Sequence, residues 1–344
     1  MKVLVATDAW HPQVNGVVRT YERLSQESAA LDVSLDFVTP AEFPNLPCPT
    51  YPEIRLSLLG PGRMRRRIEQ TMPDYIHIAT EGPIGVMTRS YCRKARRPFT
   101  TSYHTRFPEY MAARFPVRES WFYALQRRFH NSGCGMMVAT ESLEMDLSRR
   151  GFTNMFRWTR GVDTELFRPR PDRLFGSGEP VFLYVGRVAV EKNIRAFLDL
   201  KLPGRKVVVG GGPQLGSLSS EYPDVVFTGP KQGEDLARHY ASANVFVFPS
   251  LTDTFGIVLL EALASGLPVA AYPVTGPKDV VENGVVGALD RDLGQAALAA
   301  LALDPAKCRA HALKYSWSNC ARQFVDNIVA ANDRADSLLQ AAPA

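Results

Sequence analysis

The chain has 344 residues, the length of two ordinary domains, and its 45% hydrophobic and 22% charged residues exclude a disordered or fibrous protein. A formal charge of +5 is too small by itself to indicate a nucleic-acid partner, and we expect none. The five cysteines are scattered without a Cys-x-x-Cys pair, which argues against a disulfide framework or a zinc site and indicates a reducing compartment.

Short apolar runs alternate with segments of helical period along the whole chain. The first series of predicted strands covers residues 3–7, 33–38, 75–79, 99–103 and 136–140. The second series covers residues 181–186, 206–210, 225–229, 245–249 and 268–272. Helical patterns lie between the strands, as at residues 17–31 and 233–243. Strands that are apolar on both faces and alternate with helices predict parallel sheets covered by helices, here as two doubly wound α/β domains.

A segment rich in proline, glycine and charge, residues 163–180, has no periodic apolar face and indicates the boundary between the domains. We place the first domain at residues 1–165 and the second at residues 166–317. The last segment is helical in pattern, and we expect the helix 318–344 to pack back on the first domain. The N-terminal apolar run is too short for a signal peptide, and no membrane span is predicted.

Ligands of open α/β sheets bind beyond the carboxyl ends of strands, so the loops after strands hold the candidate residues. The segment 249–271 contains a helix from about Phe255 that is apolar nearly all round, which predicts a buried helix. Glu261 lies in its middle and needs a cation or hydroxyl donors, which ribose hydroxyls could supply. The helix start at Gly256 and Ile257 suits a phosphate. The alternative is that Asp253 caps the helix and Glu261 is a structural ion-pair partner.

Other loops after strands carry further candidates. Arg187 and Lys192 follow a strand in the segment GRVAVEKN and could hold a diphosphate, although strand-end cations are often just solvated. Asn15-Gly16 would let a ligand approach the backbone at a helix start, and an ordinary tight turn is the alternative. His104 follows the fourth strand and is either a site residue or a structural histidine. No G-x-G-x-x-G fingerprint follows a strand, which disfavours a dinucleotide-dependent oxidoreductase.

Two arginine-rich clusters lie in the first domain, the first including Arg65, Arg66 and Arg67, and aromatic residues such as Trp121 follow them. Such clusters are either solvated helix faces or surfaces that attract anionic lipid headgroups.

The segments GRVAVEKN and DTFGIVLLEALASGLPV, in this order and spacing, resemble motifs of the retaining glycosyltransferases of family 4. The resemblance covers essentially the whole chain and implies the GT-B fold, in which two Rossmann-like domains face each other across a cleft. The segments NGVVRT, HTRFPEY and RGVDTELFRP resemble the branch with sulfoquinovosyl and glucuronosyl diacylglycerol synthases. GDP-mannose-dependent mannosyltransferases look similar too.

The resemblance assigns a set of residues to a nucleotide-sugar donor: Gly16, His104, Arg187, Lys192, Lys231, Asp253, Thr254, Phe255, Gly256, Ile257 and Glu261. It implies that Arg187 and Lys192 hold the diphosphate and that Glu261 holds the ribose. Asp253 would hold sugar hydroxyls with the backbone that follows it, and His104 would approach the sugar near the anomeric carbon. Where the family motif has Glu, this chain has Asp253, so the contact with the sugar should shift.

Two further roles follow from the resemblance. Gly16 would approach the distal phosphate, and Lys231 would lie beside the base.

The implied function is transfer of a hexose or uronic acid, such as glucose or glucuronic acid, from a UDP-linked sugar to a membrane lipid such as diacylglycerol. The alternatives are a GDP-mannose-dependent α-mannosyltransferase acting on a cell-envelope glycan or glycolipid, and a non-catalytic nucleotide-sugar-binding protein. We expect no cofactor and no metal, because the two cations supply the charge that a metal ion would otherwise supply. We expect a cytoplasmic protein bound peripherally to the inner face of the membrane through Arg65, Arg66, Arg67 and Trp121.

Overall fold

The structure is a computed structural model that describes residues 1–13, 15–48, 51–112, 118–171, 174–176 and 178–341, with the backbone alone for 51–53, 110–112 and 339–341. The chain forms two compact units. The first is residues 1–160 together with the C-terminal segment from Trp317, and the second is Gly161–Ser316. Residues 172, 173 and 177 of the predicted boundary segment and residues 342–344 of the predicted last helix lie outside the described residues.

The first unit contains a parallel sheet and a hairpin. Its strands are β1 Lys2–Ala6, β2 Ser34–Val38, β3 Asn45–Cys48, β4 Tyr51–Ser57, β5 Tyr75–Ile78, β6 Thr100–Ser102, β7 Gly135–Val138 and β8 Met155–Arg157. Its helices begin with α1 Gly16–Ser28, α2 Pro61–Thr71, α3 Pro83–Lys94, α4 Phe107–Ala112, α5 Glu119–His130 and α6 Glu141–Arg149. Short 3₁₀ turns follow at Ala29–Leu31 and Pro40–Glu42. The sheet order is β2-β1-β5-β6-β7-β8, with every neighbouring pair parallel, and β3 pairs antiparallel with β4.

The second unit repeats the architecture. Its strands are β9 Val181–Val185, β10 Arg205–Val209, β11 Val226–Phe227, β12 Val245–Phe248, β13 Val269–Ala271 and β14 Gly287–Leu289. Its helices are α7 Arg195–Leu198, α8 Leu215–Glu221, α9 Gly233–Ala241, α10 Ile257–Ala264, α11 Pro277–Val280, α12 Leu293–Ala300 and α13 Pro305–Ala312, with a 3₁₀ turn at Val190–Lys192. All neighbouring strands are parallel, in the order β11-β10-β9-β12-β13-β14. The predicted fold class, two doubly wound parallel-sheet domains, is therefore confirmed.

The last helix, α14 Trp317–Ala341, belongs to the first unit because its apolar face completes the core of that unit. Trp317, Phe324 and Ile328 are buried in one cluster with Trp158 and residues of α1 and β1. The indole N–H of Trp158 donates to the carbonyl of Cys320 at 3.0 Å, which ties β8 to the helix. No helix among the described residues has both the length and the apolarity needed to cross a bilayer.

Each sheet has one place where the chain reverses the direction in which it adds strands. In the second unit β9 continues to β10 on one side, while β12 lies on its other side. In the first unit β1 lies between β2 and β5 in the same way. Loops leave such a pair of strands in opposite directions and open a crevice at their carboxyl ends. The candidate residues after β9 and β12 lie at this point of the second sheet.

Candidate active site

The loop after β9 is anchored to the loop after β12. The Tyr184 hydroxyl donates to the carbonyl of Arg187 at 2.7 Å, which fixes the start of the loop. A 3₁₀ turn then ends at Asn193 in the left-handed conformation, with φ of 51°. The Asn193 side-chain amide donates to the carbonyl of Pro249 at 3.1 Å. The two loops therefore present their side chains at one place on the sheet edge.

Lys192 and Asp253 form an ion pair across these loops. The Lys192 ammonium lies 2.7 Å from one Asp253 carboxylate oxygen and 2.8 Å from the other. The two side chains are 22% and 17% exposed, so the pair is partly screened from water but open on one side. Asp253 thus holds Lys192 with both oxygens. The α10 N-cap is Gly256, with no side-chain cap, so the interpretation of Asp253 as the helix cap is wrong.

Arg187 has its own acidic neighbour. A terminal nitrogen of its guanidinium lies 4.0 Å from a carboxylate oxygen of Glu191. The Glu191 side chain is 3% exposed and the Arg187 side chain is 27% exposed. The buried carboxylate orients a guanidinium that still reaches solvent. This edge therefore carries two cations, each held by an acidic residue.

Helix α10 begins at a strained turn that only glycine adopts readily. Gly256 has φ of +82°, and Phe255 and Thr254 before it are buried. Ile257 opens a helix of eight residues whose first N–H groups have no intrahelical partner. The helix N-terminus therefore carries a partial positive charge next to the Lys192–Asp253 pair in sequence and in sheet position.

Glu261 is buried in α10 and is 3% exposed. The Tyr240 hydroxyl, from α9, donates to one of its carboxylate oxygens at 2.9 Å. The protein itself thus supplies one of the hydroxyl donors that this carboxylate was predicted to need. Both interpretations of Glu261, as a ribose ligand and as a structural partner, remain compatible with this contact.

The remaining donor candidates of the second unit lie farther along the sheet. Lys231 follows the edge strand β11, two strands from β9, and pairs with Asp235 at 3.1 Å in the first turn of α9. The three glycines at 210–212 follow β10, and packing explains the first of them without a ligand. A Cβ added to Gly210 would lie 1.9 Å from the carbonyl oxygen of Gly186, so only glycine lets these two loops meet.

In the first unit, α1 starts at Gly16, which is exposed. The Asn15 side-chain oxygen accepts from the amides of Val17 and Val18 at 3.0 and 3.1 Å. Asn15 is therefore a helix cap, and the glycine that follows leaves the backbone uncovered at the helix start.

His104 follows β6, and both of its ring nitrogens are hydrogen-bonded inside the first unit. Nε2 lies 3.1 Å from the hydroxyl of Tyr21, and Nδ1 lies 3.2 Å from a terminal nitrogen of Arg160. Burial, and then the charge of Arg160, hold the pKa of His104 well below its usual value. The sequence analysis did not single out Tyr21 or Arg160, although Arg160 lies in the loop after β8, three residues beyond its end.

The basic residues of α2 do not share one role. Arg67 donates to the carboxylates of Asp36 and Glu42 at 2.8 and 2.6 Å, and its guanidinium holds the pKa of the Asp36 carboxyl below its usual range. Arg65 is exposed and pairs with Glu69 one turn along the helix, and Arg66 is exposed. Arg67 is thus a structural ion-pair partner, and the prediction that it faces a membrane needs correction.

On α5, Trp121 is 71% exposed and Leu125 is 66% exposed. These two apolar side chains lie one helical turn apart and form an exposed stripe. Tyr123, in contrast, is buried and donates to Glu109 at 2.6 Å.

Among the described residues, no group of three or more His, Cys, Asp or Glu side chains is arranged to hold a metal ion. Asp290 and Asp292 have Asp-x-Asp spacing, but Asp292 caps α12 by accepting from the amides of Gly294 and Gln295.

Known proteins that resemble the chain agree on its family. A family model described as Glycosyltransferase Family 4 matches residues 14–166, and one described as Glycosyl transferases group 1 matches residues 179–304. Sulfoquinovosyl transferase SQD2 of Arabidopsis thaliana is 34% identical over 69% of this chain, and the match spans 50% of the plant protein. A GDP-mannose-dependent alpha-mannosyltransferase of Mycobacterium tuberculosis is 30% identical over 82% of this chain and 81% of its own length. Alpha-monoglucosyldiacylglycerol synthase of Streptococcus pneumoniae is 25% identical over 89% of this chain and 79% of its own length.

Solved structures share the fold. Sucrose-phosphate synthase from Thermosynechococcus elongatus has a TM-score of 0.76 and 22% identity, covering 99% of both chains. HepE of Anabaena, solved in complex with UDP-glucose, has a TM-score of 0.71 and 15% identity, covering 96% of this chain and all of its own. The two parallel-sheet units, the matched family models and the relative alike over four-fifths of both chains lead to one conclusion: this chain belongs to the glycosyltransferases of family 4 and is an enzyme of the GT-B type.

Proposed function

We propose that the enzyme transfers a sugar, with retention at the anomeric carbon, from a nucleotide sugar to a membrane lipid. The observation that carries the proposal is the cluster at the switch point of the second sheet. There Arg187, Lys192 and the start of α10 gather positive charge at the carboxyl ends of β9 and β12. A diphosphate is the substrate group that needs such charge.

The cluster fits the departure of a nucleoside diphosphate. As the bond between the anomeric carbon and the phosphate oxygen breaks, negative charge grows on that oxygen. Arg187, Lys192 and the N–H groups at the start of α10 stabilise this charge without having to reorganise. We propose that no metal ion is needed, because these groups already supply the positive charge.

Retention follows from attack on the face that the leaving group vacates. The acceptor hydroxyl forms the new bond to the anomeric carbon and gives its proton to the departing phosphate oxygen. The products are the glycosylated acceptor and a nucleoside diphosphate, so charge and protons balance. No step of this scheme uses Asp253 as a covalent nucleophile, and its two oxygens accept from the Lys192 ammonium instead.

Support for a lipid acceptor comes from the first unit. The exposed stripe of Trp121 and Leu125 on α5 has the amphipathic character of a helix that lies at a membrane interface. Arg65 and Arg66 on α2 are exposed cations that would add attraction to anionic lipids. A relative named for monoglucosyldiacylglycerol synthesis adds a lipid product to this support. We propose diacylglycerol as the acceptor and the inner face of the cytoplasmic membrane as the place of reaction.

The donor is proposed as a UDP-linked glucose or glucuronic acid. A second candidate donor is GDP-mannose. It is favoured by the similarity to the GDP-mannose-dependent mannosyltransferase, because the match covers 81% of that protein but only 50% of the sulfoquinovosyl transferase.

The test is a matrix of donors and acceptors. UDP-glucose, UDP-glucuronic acid and GDP-mannose are each offered with diacylglycerol in anionic vesicles and with a water-soluble glycan, and the anomer of the product is read by NMR. We expect an α-linked lipid product from one UDP-sugar. An inverted product would refute the retaining mechanism, and transfer to the soluble glycan alone would refute the lipid acceptor. Mannosyl transfer from GDP-mannose would select the second candidate, and donor binding without turnover would leave only a binding protein.

A further inference from the structure

Arg160 is a buried guanidinium held in one orientation. It follows β8, is 4% exposed, and donates from one terminal nitrogen to the carbonyls of Trp158 and Thr159 at 2.6 and 3.0 Å. Its central carbon lies 4.0 Å from the centre of the Trp158 ring, a cation–π distance. The other terminal nitrogen lies 3.2 Å from His104 Nδ1.

This contact determines where the proton of His104 lies. A guanidinium has only N–H donors and no acceptor, so Nδ1 of His104 must accept and carry no hydrogen. A neutral imidazole then carries its hydrogen on Nε2. Nε2 lies 3.1 Å from the Tyr21 hydroxyl oxygen, which therefore accepts from His104.

The rest of the network is consistent with that direction. The Tyr21 hydroxyl can in turn donate a hydrogen bond to His77 Nε2, 3.0 Å away, or to the Ser102 hydroxyl, 3.3 Å away. His77 is fully buried, and burial lowers its pKa to about 3, so it stays neutral. Its Nδ1 lies 2.8 Å from the hydroxyl of Thr100. The chain of bonds from Arg160 to His77 is therefore satisfied with both rings uncharged.

We infer that Arg160 is a positioning residue that fixes His104 as the neutral Nε2–H tautomer, with Tyr21 as the fixed acceptor of that hydrogen. The inference rests on the proposed function, because the resemblance assigns His104 to the donor sugar. The sugar gains positive charge at its anomeric carbon as the leaving group departs. An imidazolium beside it would oppose that charge, whereas a neutral ring would not. His104 then acts by orientation and leaves proton transfer to the phosphate oxygen.

The titratable groups that face His104 are Tyr21 of α1, His77 of β5, His130 of α5 and Arg160. Arg160 is the permanent cation among them, so its removal takes away the charge that opposes protonation of His104 but not the burial, which is the larger cause. The test uses the whole chain labelled with ¹⁵N-histidine, with the His104 signals assigned through the His104→Gln variant. The imidazole ¹⁵N shifts, which distinguish the tautomers, are followed from pH 5 to 8 in the wild type and in Arg160→Met and Arg160→Lys.

In the wild type we expect the Nε2–H tautomer at every pH. Arg160→Met removes the cation and the donor to Nδ1 but leaves the burial, so the pKa of His104 should rise towards its ordinary value without reaching it, and the Nε2–H tautomer should lose its preference. The kcat of this variant should therefore fall towards pH 5 more steeply than the kcat of the wild type. Arg160→Lys keeps a cation and a donor and should behave like the wild type. The control is Arg157→Met, three residues earlier, whose side chain pairs with Glu141 and Glu144 at the surface.

A wild-type spectrum with the hydrogen on Nδ1, or an Arg160→Met spectrum identical to the wild type, overturns the inference. If Arg160→Met does not fold, the wild-type tautomer and the Arg160→Lys titration still decide. If the spectra change as expected while kcat keeps the wild-type pH profile, the tautomer assignment is supported, and the role of His104 beside the sugar is refuted.

Discussion

The Lys192–Asp253 ion pair allows a test that separates stability from catalysis. Two unit charges about 4 Å apart attract by about 4 kcal/mol at an effective dielectric constant of about 20. An exposed ion pair contributes at most about 1 kcal/mol to the free energy of unfolding, whereas removing one partner of a buried pair costs about 3–5 kcal/mol. With side chains 22% and 17% exposed, this pair lies between the two cases, so either single substitution should cost about 2 kcal/mol of the free energy of unfolding.

Turnover should respond differently. If Lys192 stabilises the departing diphosphate, Lys192→Met should lose about 2–4 kcal/mol of transition-state stabilisation, or roughly 30- to 1000-fold in kcat. Asp253→Asn keeps the cation but loosens it, so its kcat should fall less. In the double variant no charge is left unpaired. The stability loss should therefore be smaller than the sum of the single losses, while kcat stays as low as in Lys192→Met.

The free energy of unfolding must be measured with a probe that lies in the second unit, because both substituted residues belong to it. All four tryptophans belong to the first unit, so their fluorescence reports on the wrong part of the chain. Amide hydrogen exchange of β9 and β12 reports on the sheet edge itself. The control cycle uses Arg195 and Glu221, an exposed ion pair in the same unit, whose coupling should be much weaker than that of Lys192 and Asp253, with no change in kcat.

Two results would refute the reasoning. Recovery of kcat in the double variant would mean that Lys192 only neutralises Asp253. Normal kcat in Lys192→Met would remove this lysine from the diphosphate site.

Three further predictions concern the donor, the metal and the membrane. In Glu261→Gln the amide oxygen can still accept from Tyr240, so the second unit should stay folded. The donor KM should rise about tenfold or more, as expected for the loss of a hydrogen bond to a charged group. A large fall in melting temperature with unchanged donor affinity would show that Glu261 is structural. Initial rates should be unchanged in EDTA, and a loss that Mg²⁺ or Mn²⁺ restores would contradict the charge argument. Replacing Arg65 and Arg66 with Ser should weaken flotation with anionic vesicles about 30-fold at low salt, at about 1 kcal/mol per residue, whereas a matched replacement of Lys307 and Lys314 in the second unit should not. Equal flotation of both double variants would refute the surface.

The sequence predicted the strands that are strongly apolar and failed for those that are not. All ten predicted strands are present, with ends shifted by at most two residues. Strand β14 is Gly287–Leu289, whose small residues have little preference for strands, and β8 has only three residues. Both lie at sheet edges, where pairing with a neighbour and not composition decides the strand. The β3–β4 hairpin contains Pro47, which weakens the strand pattern in the sequence.

The candidate site was predictable as a set of loops but not as a set of contacts. Arg187, Lys192 and Asp253 could each be placed after a strand, because the carboxyl ends of parallel strands are where ligands bind. Lys192 and Asp253 are 61 positions apart in sequence and can pair only because β12 lies beside β9. The order of strands in a sheet cannot be deduced from the local hydrophobic pattern. Arg160 was missed for a related reason, since its partner His104 is reached only through the order of β6, β7 and β8.

The pairing at the switch point also bears on how the site can work. Arg187 and Lys192 are like charges near one loop, and each would repel the other if both were bare. Glu191 and Asp253 reduce this repulsion and fix the two side chains before any donor arrives, while the N–H groups at the start of α10 still attract an anion. A site whose cations are already ordered loses less entropy when a diphosphate binds, and its electrostatic stabilisation is available without rearrangement when the bond breaks. We therefore propose that Glu191 and Asp253 contribute to transfer through the cations with which they pair, and that the shorter Asp253 fits this motif because it reaches Lys192 with both oxygens.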